Sequence, residues 1–503
     1  MTAVTEQGTL AGPLSRSVAD LCHRLHPQVG AATAAGFSQV LRRLSAPLQV
    51  AVAGRIKSGK STLVNALIGR RVAPTGVGEC TRLVTRFQYG TVDRIEVVLT
   101  DGTTRVLPFD ADGMIPASLG MDLAAVSHLE AYLTSAMLKD MTVIDTPGLG
   151  SLDESSAARA DEVLDPTSRA AVAGAEAVLY VVTQSVRADD RQALAAFTAA
   201  TANRAAGPVN AIAVLNKADT VAPESVTGAD GDTWLAASLL AESQAAALRP
   251  KVAGVLPVIG LLAESAESDG FTAADADALR RMSELDDATL DTMLVSADIF
   301  AIWDCDIPAG TRTRLLDRLD LYGVQCGVDA IRAEPDIVAG ALRRALKDAS
   351  GLDTVRERLS TVCAARADGI KAAAALASIT ALAHAADPAE RSRVRDAIEV
   401  LLTRQEAHQL RVLEALTLVT SGAVDLPDDL ADEVLRVGSN IDVSTQLGLP
   451  DADRERLTAH ALERAGWWRS FASFGATPAQ SRVAHVVHRA YFLIWQRLNQ
   501  QQG

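Results

Sequence analysis

Short apolar segments alternate with amphipathic stretches through the first half of the chain, from residue 47 to residue 262. This alternation predicts strands and helices in turn, which is typical of a mostly parallel sheet. The segments that predict strands are residues 50–53, 142–144, 178–182, 211–215 and 255–259. Residues 94–109 predict a hairpin that turns at Asp101 and Gly102, so we expect antiparallel strands to extend the sheet.

Elsewhere apolar residues recur every three or four positions, which is the spacing of one helix face. Residues 14–46 predict two helices that are separated at Pro27 and Gly30. The helices predicted later in the chain are residues 272–295, 311–321, 336–348, 352–386, 389–420, 427–437, 453–466 and 478–498. The long pair 352–386 and 389–420 should form an antiparallel hairpin on the order of 48 Å long.

The predicted fold class is therefore an α/β domain with a mostly parallel sheet, followed by an all-α helical bundle or stalk. A chain of 503 residues is too long for a single core, so we expect separate units. Residues 1–46 are predicted to be N-terminal helices packed on the stalk, and residues 47–262 the α/β domain, called the head. Residues 263–350 are predicted to be a helical extension of the head, and residues 351–503 the bundle.

Composition narrows the class of protein. Hydrophobic residues make up 48% of the chain, which indicates a folded protein. The formal net charge is −14, which argues against binding to nucleic acid. The five scattered cysteines show no C-x-x-C spacing, which predicts a reducing compartment and no zinc site. With neither a signal peptide nor a membrane-spanning stretch in the pattern, we expect a cytoplasmic location.

The most informative stretch follows the first predicted strand. Residues 54–61 read Gly-Arg-Ile-Lys-Ser-Gly-Lys-Ser, which matches the phosphate-binding loop G-x-x-x-x-G-K-[ST], and an apolar helix begins at Thr62. The glycines let the backbone wrap around phosphate oxygens, and the helix N-terminus adds partial positive charge. We expect Lys60 to bind the outer phosphates and Ser61 to bind Mg²⁺. The predicted nucleotide contacts in this loop are Gly54, Lys57, Ser58, Gly59, Lys60, Ser61 and Thr62.

Two further motifs end predicted strands, where ligands bind in open α/β sheets. The first is D-x-x-G, in which we expect Asp145 to hold Mg²⁺ through water and the Gly148 N–H to contact the γ-phosphate. The second is N-K-x-D, which begins at Asn216. The Asp219 carboxylate can accept from the adjacent N–H groups of guanine, a donor pair that adenine lacks. In this motif Asn216 would brace the loops and the stem of Lys217 would lie on the base.

A glycine-rich loop at residues 72–82 lies between the phosphate loop and the D-x-x-G motif. Thr75 and Thr81 both qualify as the threonine that closes on Mg²⁺ and the γ-phosphate, and we favour Thr81 because a predicted strand follows it. The predicted metal-binding residues are thus Ser61, Thr81 and Asp145, and the predicted catalytic ones are Lys60, Thr81 and Gly148. These motifs in this order predict GTP as the substrate, and Asp219 argues against ATP.

The strings GRIKSGKST, DTPGLG and NKAD, with the P-x-G-x-G-x-x-T-R string at residues 74–82, resemble the dynamin superfamily. The chain is similar to bacterial dynamin-like proteins, and most similar to actinobacterial isoniazid-inducible GTPases of the protein C type. LLAESA at residues 261–266 and SGLDTVRERL at residues 350–359 support this resemblance, which extends to the stalk only in helix pattern. It implies association with a membrane, head-to-head dimers that depend on nucleotide, and a paralogous partner.

The chain departs from the family pattern at two positions. At the positions of Ile56 and Lys57, dynamin-type loops usually have small polar residues. Those residues help to bind a monovalent cation. One hypothesis is that the Lys57 ammonium replaces that cation, and the alternative is that it points to solvent or to a dimer partner. Leu149 stands where Ras-like enzymes have a catalytic glutamine. We therefore expect Thr81 and backbone groups to orient water, and turnover to rise when heads dimerise.

Two segments bear on contact with a membrane. The turn at residues 384–391 is polar, whereas residues 466–475 are rich in aromatic side chains that either touch lipid or, as we favour, pack at a stalk junction. The first interpretation is a dynamin-like GTPase that hydrolyses GTP with Mg²⁺ in the cytoplasm, with peripheral contact at the inner face of the cell membrane. The alternative is a regulatory GTPase switch that recruits a protein partner without mechanical action on membranes.

Overall fold

The computed structural model describes residues 10–75, 83–148, 175, 177–185, 190–191, 194, 211–248, 252–268, 270–420, 422–440 and 442–500. Within these residues one sheet forms the centre of the head. Its strands are β1 (Leu48–Gly54), β2 (Thr85–Tyr89), β3 (Arg94–Leu99), β4 (Thr104–Leu107), β5 (Val126–Leu133), β6 (Met141–Asp145), β7 (Ala177–Val182), β8 (Ala211–Asn216) and β9 (Val252–Val258).

The strand order is β4-β3-β5-β2-β6-β1-β7-β8-β9. The strands β6, β1, β7, β8 and β9, which are neighbours in this order, run parallel. Every residue of β7 and of β8 is buried, as expected for central strands covered on both faces. At the other end, β3 pairs antiparallel with β4 and β5, and β2 pairs antiparallel with β6. The α/β fold class with antiparallel additions is confirmed.

Helices cover the sheet on both faces and continue beyond it. The helices before residue 350 are α1 (Pro13–Leu25), α2 (Ala31–Ser45), α3 (Lys60–Ile68), α4 (Thr233–Leu248), α5 (Gly260–Glu267), α6 (Ala273–Ser283), α7 (Asp287–Met293), α8 (Ala297–Ile302), α9 (Ala309–Ala333) and α10 (Ala339–Ala349). The stretch 272–295 was predicted as one helix, and it forms two because Asp286 caps the start of α7 by accepting from Thr289 N at 2.9 Å.

The all-α part begins with a long helix. The helices after residue 350 are α11 (Leu352–Ala385), α12 (Pro388–Leu402), α13 (His408–Thr420), α14 (Asp428–Ser439), α15 (Val443–Leu447), α16 (Arg454–Phe474) and α17 (Pro478–Gln500). The prediction of one helix over residues 389–420 is wrong, because the chain breaks between α12 and α13. There Ala407 is buried against α1, and Glu406 Oε1 accepts from Ser17 Oγ at 3.2 Å, so tertiary contacts override local helix propensity.

The N-terminal helices are held to the bundle by two carboxylates. Asp368, buried in α11, accepts from the main-chain nitrogens of Leu14 at 2.9 Å and Ser15 at 2.7 Å. Glu390 in α12 accepts from Gly30 N at 2.7 Å, at the start of α2. Each acid therefore satisfies free N–H groups at a helix N-terminus, where negative charge is also favoured.

Separate apolar clusters stabilise the two parts. One apolar cluster lies on each face of the sheet of the head, and one of the two clusters includes Leu352, Val355 and Leu359 of α11. The distal bundle has its own core around Trp468 and Tyr491, both fully buried. Among the described residues, none of the helices is both long enough and apolar enough to cross a membrane.

Candidate nucleotide-binding site

The loop between β1 and α3 has the backbone geometry of a phosphate cradle. Gly54 has φ 153° and Gly59 has φ 86°, values that favour glycine. A Cβ at Gly54 would lie 2.5 Å from the Val181 oxygen, and one at Gly59 would lie 2.2 Å from Asn216 Nδ2. Any side chain at either position would displace the loop, which explains why the sequence has glycine at both.

Asn216, the last residue of β8, connects the phosphate loop to the rest of the head. Its Nδ2 donates to the main-chain oxygen of Ser58 at 2.8 Å, and its Oδ1 accepts from Gly260 N at 2.9 Å. This side chain is buried. It therefore joins the phosphate loop to the start of α5.

Lys60 and Asp145 face each other at the start of α3. Lys60 Nζ donates to the main-chain oxygen of Arg55 at 2.8 Å, and its side chain is buried. Burial lowers the pKa of Lys60, while the nearby Asp145 carboxylate opposes that shift. Burial raises the pKa of Asp145 to about 6, although Lys60 and the hydroxyl of Ser61 favour its charged form. Burial therefore makes the charged forms of both Lys60 and Asp145 unfavourable unless a ligand lies between them.

The donor set at this point fits Mg²⁺. Ser61 Oγ donates to Asp145 Oδ2 at 2.9 Å, so the hydroxyl and the carboxylate adjoin. In the described part of the chain, the buried atoms Asp145 Oδ1 and Ser58 Oγ have no hydrogen-bond partner. Hydroxyl and carboxylate oxygens are the ligands that Mg²⁺ prefers, and a buried carboxylate oxygen without a partner needs one.

The chain after β6 returns over the phosphate loop. Thr146 Oγ1 donates to the main-chain oxygen of Val52 at 2.8 Å, which anchors the D-x-x-G segment beside β1. A Cβ at Gly148 would lie 2.8 Å from Ile56 Cγ1 and 3.1 Å from Ile56 N. Gly148 is therefore packed directly on the loop, and only glycine allows that approach.

Asp219 lies in a short turn after β8. Lys217 has φ 60°, and the turn that follows is fixed by Thr220 Oγ1, which donates to the Lys217 oxygen at 2.7 Å. Burial, helped by the negative charge of Asp320, raises the pKa of Asp219 to about 6, against the opposing effect of Lys217. The turn thus holds a partly buried carboxylate at the carboxyl end of the sheet, beside the phosphate loop.

Some predicted site residues are not in the described part of the chain. Thr81, the favoured switch threonine, lies outside it, as do Leu149 and most of the P-x-G-x-G-x-x-T-R string. Thr75, the other candidate, is exposed at the end of a described segment. Thr62 lies in the first turn of α3, and Lys57 is exposed with φ 62°.

The sequence analysis missed Asn65 and Glu264, which shape the start of the glycine-rich loop. Asn65 Oδ1 accepts from Val72 N at 3.0 Å and Ala73 N at 2.8 Å, and its Nδ2 donates to Glu264 Oε1 at 2.6 Å. Glu264 belongs to the LLAESA string, but nothing in the string indicates a partner almost 200 residues earlier. Burial raises the pKa of Glu264, against the effect of the Asn65 hydrogen bond.

These features define a P-loop nucleotide-binding protein of the GTPase class. They are a phosphate loop, an acid beside its serine, and an asparagine that braces the loop, all on a mostly parallel sheet. Residues 50–218 match the family described as the Dynamin family. The isoniazid-induced protein IniC of Mycobacterium tuberculosis (strain H37Rv) is 30% identical over 434 residues, which is 85% of this chain and 85% of that protein. The isoniazid-induced protein IniA of the same strain is 31% identical over 129 residues, which is 24% of this chain and 20% of that protein.

These relationships show that the chain belongs to the dynamin family of large GTPases, among relatives of IniC. The family resemblance in the sequence is therefore confirmed. A solved structure described as an oligomerised bacterial dynamin pair aligns over 99% of this chain and 92% of that chain, with 12% identity and a TM-score of 0.33. Similarity at that level does not indicate whether this chain assembles in the same way.

Proposed function

We propose that the protein binds GTP with Mg²⁺ and hydrolyses it to GDP and phosphate. The observation that supports this most directly is that side-chain hydrogen bonds join motifs far apart in sequence around one loop. Ser61 donates to Asp145, and Asn216 donates to Ser58, so the three motifs meet at the N-terminus of α3. A helix N-terminus with a glycine cradle favours a polyphosphate.

Each chemical role in this proposal is assigned to a residue of the predicted site. The Lys60 ammonium would leave the Arg55 oxygen to bind the outer phosphates, and the N–H of Gly148 would bind the γ-phosphate. Asp219 would accept from the guanine N–H groups, while Lys217 covers one face of the base. Ser61 and Asp145, with Thr81, would hold Mg²⁺, which neutralises charge that develops on the phosphates.

In the proposed reaction, water attacks the γ-phosphorus and the bond to the β–γ bridging oxygen breaks, leaving GDP and phosphate. Lys60 and the Gly148 N–H stabilise the charge of the transferring group. No glutamine follows Gly148, since Leu149 stands there, so Thr81 and backbone groups would orient the water. We propose that pairing of heads, either in a homodimer or with a paralogous partner, completes this arrangement.

Calorimetry with GTP, GDP and ATP tests the binding proposal. We expect GTP and GDP to bind and ATP to bind at least about a hundredfold more weakly, because Asp219 discriminates the base edge. Lys60→Ala should abolish binding or turnover, whereas the matched variant of an exposed lysine, Lys139→Ala, should leave both unchanged. Binding of ATP in preference to GTP would overturn the proposal.

The dimer proposal has a kinetic test. The turnover rate per molecule should rise with protein concentration and level off when most heads are paired. A rate that stays constant over a wide range of concentration would show that pairing plays no part in hydrolysis.

We also propose peripheral membrane contact through the end of α16. Phe474, beside the turn into α17, is 94% exposed, and Trp467 is 40% exposed and stacks on Phe471 with ring centroids 5.4 Å apart. Trp468 of the same run is buried in the bundle, as the sequence analysis favoured for the run as a whole. The aromatic face therefore divides into a packed side and an exposed side, and the exposed side suits a membrane interface.

Flotation with liposomes of anionic and of neutral lipids tests this contact. Phe474→Ser should reduce the bound fraction, whereas Val338→Ser, which alters another exposed apolar side chain, should not. The alternative function, a switch that recruits a protein partner, is favoured by the polar turn at residues 384–391. Absence of lipid binding in all nucleotide states, with hydrolysis independent of concentration, would support the switch and exclude the membrane proposal.

A further inference from the structure

Helix α9 contains a strained residue next to the predicted base-binding turn. Asp320 has φ 55° and ψ 179° inside an otherwise helical segment, so α9 is kinked there. Such a backbone conformation is unfavourable for a residue with a side chain and persists only where the surroundings enforce it. Oδ1 of Asp320 accepts from Leu321 N at 2.7 Å, which orients the carboxylate at the kink.

The half of α9 before the kink is fixed by ion pairs. Arg314 Nε and Arg318 Nη1 donate to Asp275 at 2.9 Å and 2.6 Å, and Asp275 is fully buried at the start of α6. In addition, Ser265 Oγ donates to the main-chain oxygen of Arg318 at 2.6 Å. These contacts hold the chain just before Asp320 against α5 and α6.

The half after the kink is fixed by close packing. A Cβ at Gly323 would lie 2.9 Å from Leu262 Cδ1, and one at Gly327 would lie 2.7 Å from Leu279 Cδ1. Both glycines thus let the helix approach α5 and α6 closely. Because both halves are tied to the same two helices, the kink has little freedom to relax.

This arrangement brings the kink to the base-binding end of the sheet. Helix α5 begins at Gly260, whose nitrogen donates to Asn216 Oδ1, and the N-K-x-D turn follows Asn216 directly. Leu262, in the first turn of that helix, is the residue that Gly323 of α9 approaches, three residues beyond the kink. The negative charge of Asp320 also contributes to the raised pKa of Asp219. The second half of α9 therefore borders the turn that carries Asp219.

We propose that Asp320 determines nucleotide specificity together with Asp219, by accepting a hydrogen bond from the 2-amino group of guanine. This inference rests on the proposed binding of GTP. Guanine has three N–H donors on this edge, and the two oxygens of Asp219 can accept only from N1–H and one N–H of the 2-amino group. Among the described residues, Oδ2 of Asp320 accepts no hydrogen bond. It is therefore available for the third donor.

The charge arrangement supports this role. Two partly buried carboxylates near each other are unfavourable in the free protein, because like charges repel most strongly where water is excluded. A ligand edge with three donors satisfies both acids at once. Adenine has a single amino group in a different place, and hypoxanthine lacks the 2-amino group, so neither base satisfies both.

Inosine triphosphate separates the roles of the two acids, because it retains N1–H and lacks the 2-amino group. Affinities for GTP and inosine triphosphate are measured by calorimetry with the full chain, its Asp320→Asn variant and its Asp320→Ala variant. Loss of one hydrogen bond to a charged acceptor should weaken GTP binding about tenfold, while the affinity for inosine triphosphate stays unchanged or improves. Asp317→Asn, an exposed acid one turn earlier in α9, is the matched control and should change neither.

The outcomes are distinguishable. If GTP and inosine triphosphate affinities fall in parallel in the Asp320 variants, the residue acts on the fold of α9 and the inference is wrong. If neither affinity changes, Asp320 makes no contact with the base and the inference is equally wrong. If the unaltered chain does not bind GTP, the proposed function itself fails. Thermal unfolding of each variant identifies any loss of folding.

Discussion

Arg356 in α11 donates from Nη2 to the main-chain oxygen of Ala66 at 2.9 Å, so the first helix of the bundle is bound to the last turn of α3. Its Nη1 lies 2.6 Å from Glu267 Oε1, which also contacts Lys347 at 3.1 Å. A cation at a helix C-terminus is favourable because the free carbonyl groups carry partial negative charge. Helix α3 therefore has the phosphate loop at one end and the bundle at the other.

We predict that Arg356→Ala loosens this connection. The free energy of unfolding should fall by about 2 kcal/mol, because Glu267 loses a mostly buried partner and two carbonyl groups of α3 lose their donor. GTP affinity should change little, since Arg356 does not touch the loop. Because α3 carries the phosphate loop at its other end, we expect GTP to change hydrogen exchange in the first turns of α11 of the unaltered chain, and Arg356→Ala should abolish this response.

Arg344→Ala, which removes an exposed arginine of α10, is the matched control for that variant. It should leave stability and the exchange response unchanged. If exchange in α11 responds to GTP equally in the Arg356 variant and in the unaltered chain, then this contact does not transmit the state of the nucleotide.

The motif positions and all the described strands except β5, which the sequence analysis missed, could be predicted from the sequence because they depend on local signals. An apolar run that ends at a glycine, such as residues 50–53 before Gly54, can be recognised from its own residues alone. The α/β class and the family followed from those signals and are confirmed.

Features that depend on distant partners could not be predicted. The break between α12 and α13 contains neither glycine nor proline, and it exists because Ala407 and Glu406 contact α1, almost 390 residues earlier. The kink at Asp320 and the Asn65–Glu264 hydrogen bond have the same origin, since each is fixed by contacts between separate elements.

We predict that GTP affinity depends on pH through Asp219. Its pKa is raised to about 6 by burial and by Asp320, and only the charged carboxylate can accept from guanine. The contact with the base should therefore be complete at neutral pH and should weaken as the pH falls through about 6, approaching tenfold per unit below that value.

Magnesium tripolyphosphate is a suitable reference ligand for that titration, because it shares the phosphate contacts and has no base. The ratio of GTP affinity to tripolyphosphate affinity isolates the base contact. Asp320→Asn should move the fall in this ratio to lower pH, because it removes a charge that raises the pKa of Asp219, whereas Lys217 remains to lower it. A ratio that is constant with pH would contradict the prediction.

We predict that hydrolysis by the unaltered chain does not require K⁺. Lys57 is exposed at the crest of the phosphate loop, in a left-handed conformation with φ 62°, and its ammonium can supply the charge that a bound monovalent cation supplies in related loops. Lys57→Ser should reduce turnover in Na⁺-free and K⁺-free buffer and should restore it, at least in part, when K⁺ is added.

Binding of GDP provides the control for the Lys57 experiment, because a charge that acts in the transition state should affect turnover more than binding. If the unaltered chain depends strictly on K⁺, Lys57 does not replace the cation. The Lys57 side chain would then have the alternative role, which is contact with solvent or with a dimer partner.

Glu433 joins three helices of the distal bundle, and its replacement should destabilise that part of the molecule. It accepts from Tyr491 OH at 2.5 Å, from Trp468 Nε1 at 3.1 Å and from Arg464 Nε at 2.8 Å. Burial alone would raise the pKa of Glu433, but these hydrogen bonds outweigh it and hold the pKa below the ordinary value. The carboxylate therefore stabilises the folded bundle at neutral pH.

The sign of the pH effect follows from that lowered pKa. The unfolded chain takes up the proton first as the pH falls, so the contribution of Glu433 is complete above the ordinary glutamate pKa of about 4.3. It is lost progressively as the pH falls from there through the lowered pKa of the folded state. Glu433→Gln should lower the free energy of unfolding at neutral pH by about 2–3 kcal/mol, because Arg464 keeps its charge without a partner. The loss should shrink in acid, where the unaltered chain has lost the same interaction.

Glu463→Gln, an exposed acid on the same helix as Arg464, should be nearly neutral at every pH. Denaturant unfolding of both variants and the unaltered chain, at neutral pH and near pH 4, measures the difference. If Glu433→Gln is as stable as the unaltered chain at neutral pH, the bundle core is held by its apolar contacts alone. In that case the hydrogen bonds of Glu433 contribute to the geometry of the bundle and not to its stability.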